Sequence, residues 1–218
     1  MTRARSRVAT GLIAAAALLA GCRTIPTPPV IGPGADAPWP AQRAGLEKLD
    51  RYGLSGRVAV AANGQGFTAN LRYEQQAQRS DLALDGPLGI GGVRMAIEGD
   101  DLRIETSGGK QLDGAAARAE LERRLGFELP LKDLRWWLLG IPAPGDAAVT
   151  ADADSGEIHD FTQHGWRVSI DSRAAGLGFA LPQRLSVERM GVERTGVART
   201  GVEREVARLK LIVEQWQP

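Results

Sequence analysis

The sequence predicts a mainly β fold with a few helices: one large antiparallel sheet curled into an open, incomplete barrel, with helices covering its mouth. Three observations lead there. Strict two-residue alternation of apolar with charged or small residues recurs eight times, at Leu54–Val60, Phe67–Tyr73, Leu82–Leu84, Val93–Ile97, Leu102–Ile104, Trp166–Ile170, Leu185–Val187 and Leu209–Val213. Connections such as Glu98-Gly99-Asp100-Asp101 and Gln163-His164-Gly165-Trp166 are short enough to be hairpins, so neighbouring strands run antiparallel. Two helical stretches interrupt the series near its middle. Eight or more one-sided strands present an apolar face that a flat sheet leaves wet, and a twisted sheet of that size curls toward closure.

The chain begins with Arg3, Arg5 and Arg7, followed by an apolar stretch from Gly11 to Ala20 that is too short to span a bilayer. It ends in Leu19-Ala20-Gly21-Cys22, which resembles the bacterial lipoprotein box and carries the only cysteine. Residues 1–21 are therefore expected to be a signal peptide and Cys22 the lipidated first residue of the mature chain. A single cysteine also excludes an internal disulfide. Residues 1–21 hold three arginines and no acid, so the 27 basic residues of the chain fall to 24 against 26 acidic ones, a balance with no basic excess for nucleic acid.

Residues 22–40 read as a lipidated N-terminus and Pro-rich tether, with Pro26, Pro28, Pro29, Pro33 and Pro38. The sixteen residues Arg23–Pro38, fully extended, reach roughly 50 Å at about 3.1 Å each. Residues 41–218 make one domain, which opens with a short helix at Ala41–Leu49. Phe67, Ala69, Leu71 and Tyr73 then share one face of a strand. Asp85-Gly86-Pro87-Leu88-Gly89-Ile90-Gly91-Gly92 joins two alternating strands. Asp113 is placed to cap a helix over Ala115–Leu125, which Gly126 stops. Pro130 opens a second helix over Leu131–Leu139, closed by Gly140 and Pro142. Leu131, Leu134 and Leu138 form its apolar stripe, and Trp136, Trp137 and Leu139 extend it over more than half the circumference. The five-residue repeat within 191–205 (Gly-Val-Glu-Arg-Thr and its variants) suits neither helix nor strand and reads as a solvated loop. Periodicity leaves open whether the barrel interior is solid or hollow.

The Pro-Leu-Gly loop and the run Leu134-Arg135-Trp136-Trp137-Leu138-Leu139-Gly140-Ile141-Pro142, in this order between a lipoprotein signal and closing strands, resemble the LolB family over roughly Leu46 to Trp216. The resemblance implies a non-enzymatic receptor, lipid-anchored in the outer membrane and facing the periplasm. Such a receptor accepts lipoproteins from a LolA-like carrier and inserts them into the inner leaflet. It implies a hollow interior for the cargo's acyl chains, with Leu71, Tyr73, Leu84, Met95, Ile97, Trp136, Trp137 and Leu138 as expected lining. It also implies that Leu88, flanked by Pro87 and Gly89, protrudes and serves membrane insertion. The expected partners are the carrier, acylated cargo lipoproteins and outer-membrane phospholipid, with the receptor a monomer. The alternative is a structural lipoprotein with a solid core, a subunit of an envelope assembly complex.

Other signals point to neither catalysis nor a cofactor. Asp152-Ala153-Asp154-Ser155-Gly156-Glu157 has its glycine one position early for a calcium loop and reads as a turn. His159 and His164 lack a third metal ligand. No serine lies in a nucleophile elbow, and glycines 86, 89, 91 and 92 precede a strand, not the helix N-terminus that a phosphate loop needs.

Overall fold

The computed structural model describes residues 31–62, 64–86, 92–190 and 207–218. The expectations for Cys22, for Pro87, Leu88 and Gly89, and for the 191–205 repeat lie outside these residues. Eleven strands form one sheet: β1 (Arg51–Ala62), β2 (Gln65–Gln76), β3 (Arg79–Asp85), β4 (Val93–Glu98), β5 (Asp101–Thr106), β6 (Gln111–Asp113), β7 (Ala148–Ala151), β8 (Ile158–Gln163), β9 (Trp166–Gly176), β10 (Phe179–Arg189) and β11 (Arg208–Gln217). Their order is β6-β5-β4-β3-β2-β1-β11-β10-β9-β8-β7, with every pair antiparallel. The first and last strands thus meet at the centre, where Val58 faces Leu211 and Val60 faces Leu209. The two free edges, β6 and β7, are consecutive in the chain, so the barrel stays open where the connection between them crosses.

That connection carries the later helices, while the first helix precedes β1. α2 (Gly114–Leu125) follows α1 (Trp39–Leu46), and a 3-10 turn at Leu131–Asp133 leads into the short α3 (Leu134–Trp137). Ala117, Leu121 and Leu125, spaced four apart, are buried, which gives α2 its single inward stripe. Gly126 ends α2 at φ +80°, a left-handed conformation that favours glycine, and its N–H donates to Glu122 O at 2.7 Å. Asp113 stands at the N-cap, but its carboxylate pairs with Arg103 at 2.7 Å and does not cap the helix.

Three sequence expectations change here. The helix expected over Leu131–Leu139 is shorter and composite, because the chain tightens into i→i+3 bonds around Asp133 and turns left-handed at Gly140. The first helix starts two residues earlier than expected, at Trp39, with Pro40 in its first turn. Residue 40 also fails to divide tether from body. Ile31 and Gly32 N–H donate to Leu177 O at 3.0 and 2.8 Å, Gly34 N–H donates to Gly178 O at 2.8 Å, and Ala180 N–H donates to Gln42 Oε1 at 2.7 Å. Residues 31–49 form a strap across the start of β10, with Trp39, Leu46 and Leu49 buried. Gly32 is required there, since a Cβ at this position would stand 2.3 Å from Gly178 O.

The apolar core lies on the concave side. Arg173 crosses it at one end, donating to Ala180 O (3.1 Å) and Ile158 O (2.9 Å), with its guanidinium 4.6 Å from the Trp39 ring centroid. Burial lowers its pKa from the ordinary arginine value, while the carboxylate of Glu157 at 2.8 Å acts the other way.

Candidate functional site

The strand alternation sends Val58, Val60, Leu71, Leu82, Leu84 and Met95 inward from one wall and Leu185, Val187, Leu209 and Leu211 from the other. The crossing segment adds Leu121, Leu125, Leu129, Leu131, Leu134 and Leu138 from above. Between them lies a cavity of about 90 Å³ whose lining residues are all aliphatic or methionine. With no polar partner to hold it, water has no foothold there.

A wider cleft of about 770 Å³ opens beside it at the ends of the strands. It shares Val60, Leu84, Met95, Leu121 and Leu125 with the cavity and continues over Ala59, Gly66, Phe67, Ala69, Gly86 and Ile104. Phe67 has the inward register of its strand yet is 43% exposed, so an aromatic ring stands open at the cleft rim. Gly86, where the Pro-Leu-Gly loop leaves β3, lines the same rim. On the other side of α2 a pocket of about 560 Å³ has an apolar floor of Ile97, Leu102, Leu121, Phe127 and Leu129. Its rim is charged and includes Asp100, Glu122, Glu128 and Lys132.

Of the eight residues expected to line a cavity, the structure brings Leu71, Leu84, Met95 and Leu138 together on its wall. The other four sit elsewhere. Tyr73 packs against Tyr52, ring centroids 5.7 Å apart, and donates its hydroxyl to Gln75 Oε1 at 2.6 Å. Burial pushes the pKa of both tyrosines up, so both remain neutral hydrogen-bond partners, and Tyr52 donates to Arg135 O. Ile97 faces the pocket beyond α2. Trp136 and Trp137 leave the cavity because a helix turns about 100° per residue and Leu134 and Leu138 already occupy that side. Trp136 instead stacks under the Arg135 guanidinium at 4.5 Å, and Trp137 packs edge-on against Phe161 at 6.3 Å.

Sequence reasoning missed Gln163, the residue that fastens the crossing segment to the sheet. Its Oε1 accepts from Trp137 Nε1 (3.0 Å) and Ala143 N–H (2.9 Å), and its Nε2 donates to Ala143 O (2.9 Å). A glutamine beside a hairpin turn carries no signal of such a role. Asp133 and His164, read only as a helix residue and an isolated histidine, lie 2.6 Å apart and tie the 3-10 turn to the β8–β9 turn. Asp152 accepts from Ser155 and Asp154 N–H groups, bonds that hold its carboxyl below the usual range, in keeping with a turn. Among the described residues no cluster of metal-ligating side chains occurs.

Residues 50–216 match the family described as outer membrane lipoprotein LolB. The chain belongs to the LolB family. It is 29% identical over 204 residues to the outer-membrane lipoprotein LolB of Stutzerimonas stutzeri (strain A1501), covering 93% of this chain and 92% of that one. It is 30% identical over the same span to the LolB of Ectopseudomonas mendocina (strain ymp), with the same coverage. Among solved structures, a DUF1329 family protein from Desulfovibrio piger superposes with a TM-score of 0.51 at 9% identity, covering 80% of this chain and 88% of that one, a likeness of fold alone. As a LolB family member the chain is a lipoprotein of the outer membrane. The LolB match takes in the sheet, short of the last residue of β11, and the whole crossing segment, and it leaves out the strap, what precedes it and the final two residues.

Proposed function

We propose that this protein accepts lipoproteins from a LolA-type carrier and inserts them into the inner leaflet of the outer membrane, holding their acyl chains between the concave sheet and the crossing helices. The observation that carries the reading is the cavity lined only by aliphatic residues and Met95, which shares five wall residues with the open cleft. An acyl chain in water costs about 0.8 kcal/mol per methylene, and it has no polar group to recognise, so an aliphatic lining is all that it needs. This reading is transport, not catalysis, and it is favoured over a solid-core structural subunit because an apolar cavity and an open cleft share five wall residues. At about 90 Å³ the cavity is smaller than the ~150 Å³ engineered site that takes one benzene. Chains therefore enter through the cleft as Leu121 and Leu125 of α2 move aside. The protein works as a monomer. Cys22 carries the anchor, and Leu88, in the loop that leaves the cleft rim at Gly86, engages the bilayer during release.

Equilibrium binding of a fluorescent tri-acylated peptide tests the reading. Met95→Glu, which sets a charge on the wall, and Leu84→Phe, which fills the cavity with the sheet intact, should each weaken binding at least tenfold. Wild-type affinity in a folded Leu84→Phe variant would overturn the proposal.

A further inference from the structure

We propose that the outer face of β10, β11 and β1 is a docking surface for an anionic phospholipid bilayer, on which the anchored body lies with its cleft rim at the membrane. The proposal rests on lipid anchorage at Cys22.

Register defines the face. Ile212 of β11 points outward, is 40% exposed, and stands between Arg184 on β10 and Arg57 on β1. One step along, Lys210 stands between Ser186 and Ala59, and beyond it Arg208 stands between Glu188 and Ala61. Arg51 ends the outward row of β1. The three strands thus carry five outward basic residues against Glu188 and Glu214, and each of these acids is paired, with Arg208 and Arg57 respectively. Asp171, which accepts from Ser186 Oγ, borders the face on β9. Among the described residues Arg184 and Lys210 make no ion pair. Gly53, Ser55, Ala59 and Ala61 on β1 keep the surface low around the projecting isoleucine. An exposed aliphatic side chain ringed by cations fits an anionic lipid surface, where each Lys or Arg adds attraction and the apolar group enters the headgroup boundary. In a chain whose acidic and basic residues nearly balance, this excess is local.

The position of the anchor supplies the second argument. Among the described residues the chain is first fastened at Ile31, against the Leu177–Gly178 turn at the start of β10. From Cys22 to Ile31 the leash is nine residues, which reaches at most about 32 Å by covalent geometry. β10, eleven residues long, extends over about 35 Å from that turn. A leash of this length, tied at one end of the face, keeps that end within about 32 Å of the anchor and so within reach of the membrane. The cleft rim lies at the other end of the same strands, where Phe67 pairs with Val60 and Gly66 with Ala61. Acyl chains leaving the cleft then emerge where the bilayer is.

The test uses the full acylated chain in phosphatidylcholine vesicles with and without phosphatidylglycerol, and a headgroup-spin-labelled lipid as quencher. A fluorophore is placed on a cysteine introduced at Ile212 or, as the control, at Glu105 on the outward side of β5. Quenching should be several-fold stronger at position 212 than at 105. It should depend on phosphatidylglycerol and fall in the Arg184→Gln/Lys210→Gln variant. Equal quenching at both positions, or quenching at 212 that ignores the two substitutions, would refute this surface alone. A purified chain whose intact mass lacks the lipid would refute the anchorage at Cys22 and this proposal with it.

Discussion

Replacing Gln163 with leucine should cost about 3–5 kcal/mol, although the substitution keeps the side-chain volume and adds apolar surface. The side chain is 2% exposed and satisfies three groups at once: Trp137 Nε1–H, Ala143 N–H and Ala143 C=O. Leucine leaves all three unpaired in a dry interior, at about 1–3 kcal/mol for each buried orphan, less whatever water recovers at Ala143. Because leucine fills the same space, no cavity term enters, so the loss measures the hydrogen bonds. For a domain of this size each kcal/mol shifts Tm by about 2–4 °C, so a drop of about 10 °C is expected. Urea unfolding followed by tryptophan fluorescence should show a lower midpoint at constant slope. A loss under about 1 kcal/mol would mean that the crossing segment is held by its leucine stripe, and that Gln163 is incidental.

The strap makes a separate prediction: Gly32→Val drives a side chain into Gly178 O and the Phe179 ring, so the amides of Ile31, Gly32 and Gly34 should lose hydrogen-exchange protection while β1 keeps its own. Unchanged exchange at these three amides would show that the docking tolerates displacement. Glu120, bonded by Arg123 and Arg124, titrates at about 2 instead of 4.5. A depressed carboxylate favours the folded state, so its contribution is complete above pH 4.5 and disappears as the pH falls through about 2. Glu120→Gln should therefore flatten the acid limb of the stability profile, and an identical limb in the variant would contradict the pairing. Leu88→Glu should leave the unfolding free energy within about 0.5 kcal/mol, preserve uptake from the carrier and block release into liposomes. Normal release by this variant would remove Leu88 from the insertion step.

The sequence by itself determined the strands that bury one face, because a two-residue period is visible wherever one side of the pleat is apolar and the other wet: β1 to β5 and β9 to β11 were legible this way. Three strands were not. β6 has three residues, and β7, Ala148–Ala151, is exposed along its whole length and so has no inner face to mark. In β8 the buried residues Ile158 and Phe161 lie three apart, beside a register shift at Thr150/Ala151, and the period is lost. The leucine stripe 131–134–138 was legible as well, and it faces the cavity. Which of its neighbours joined it was decided only in three dimensions: Trp137 turned to Phe161 and Gln163, partners more than twenty residues away, because a buried indole N–H must find an acceptor. The same holds for hollow against solid. Alternation states which side chains point inward, but the space left between Leu71 and Leu185 depends on how far the sheet curls, and that is set by the helices wedged between its two edges.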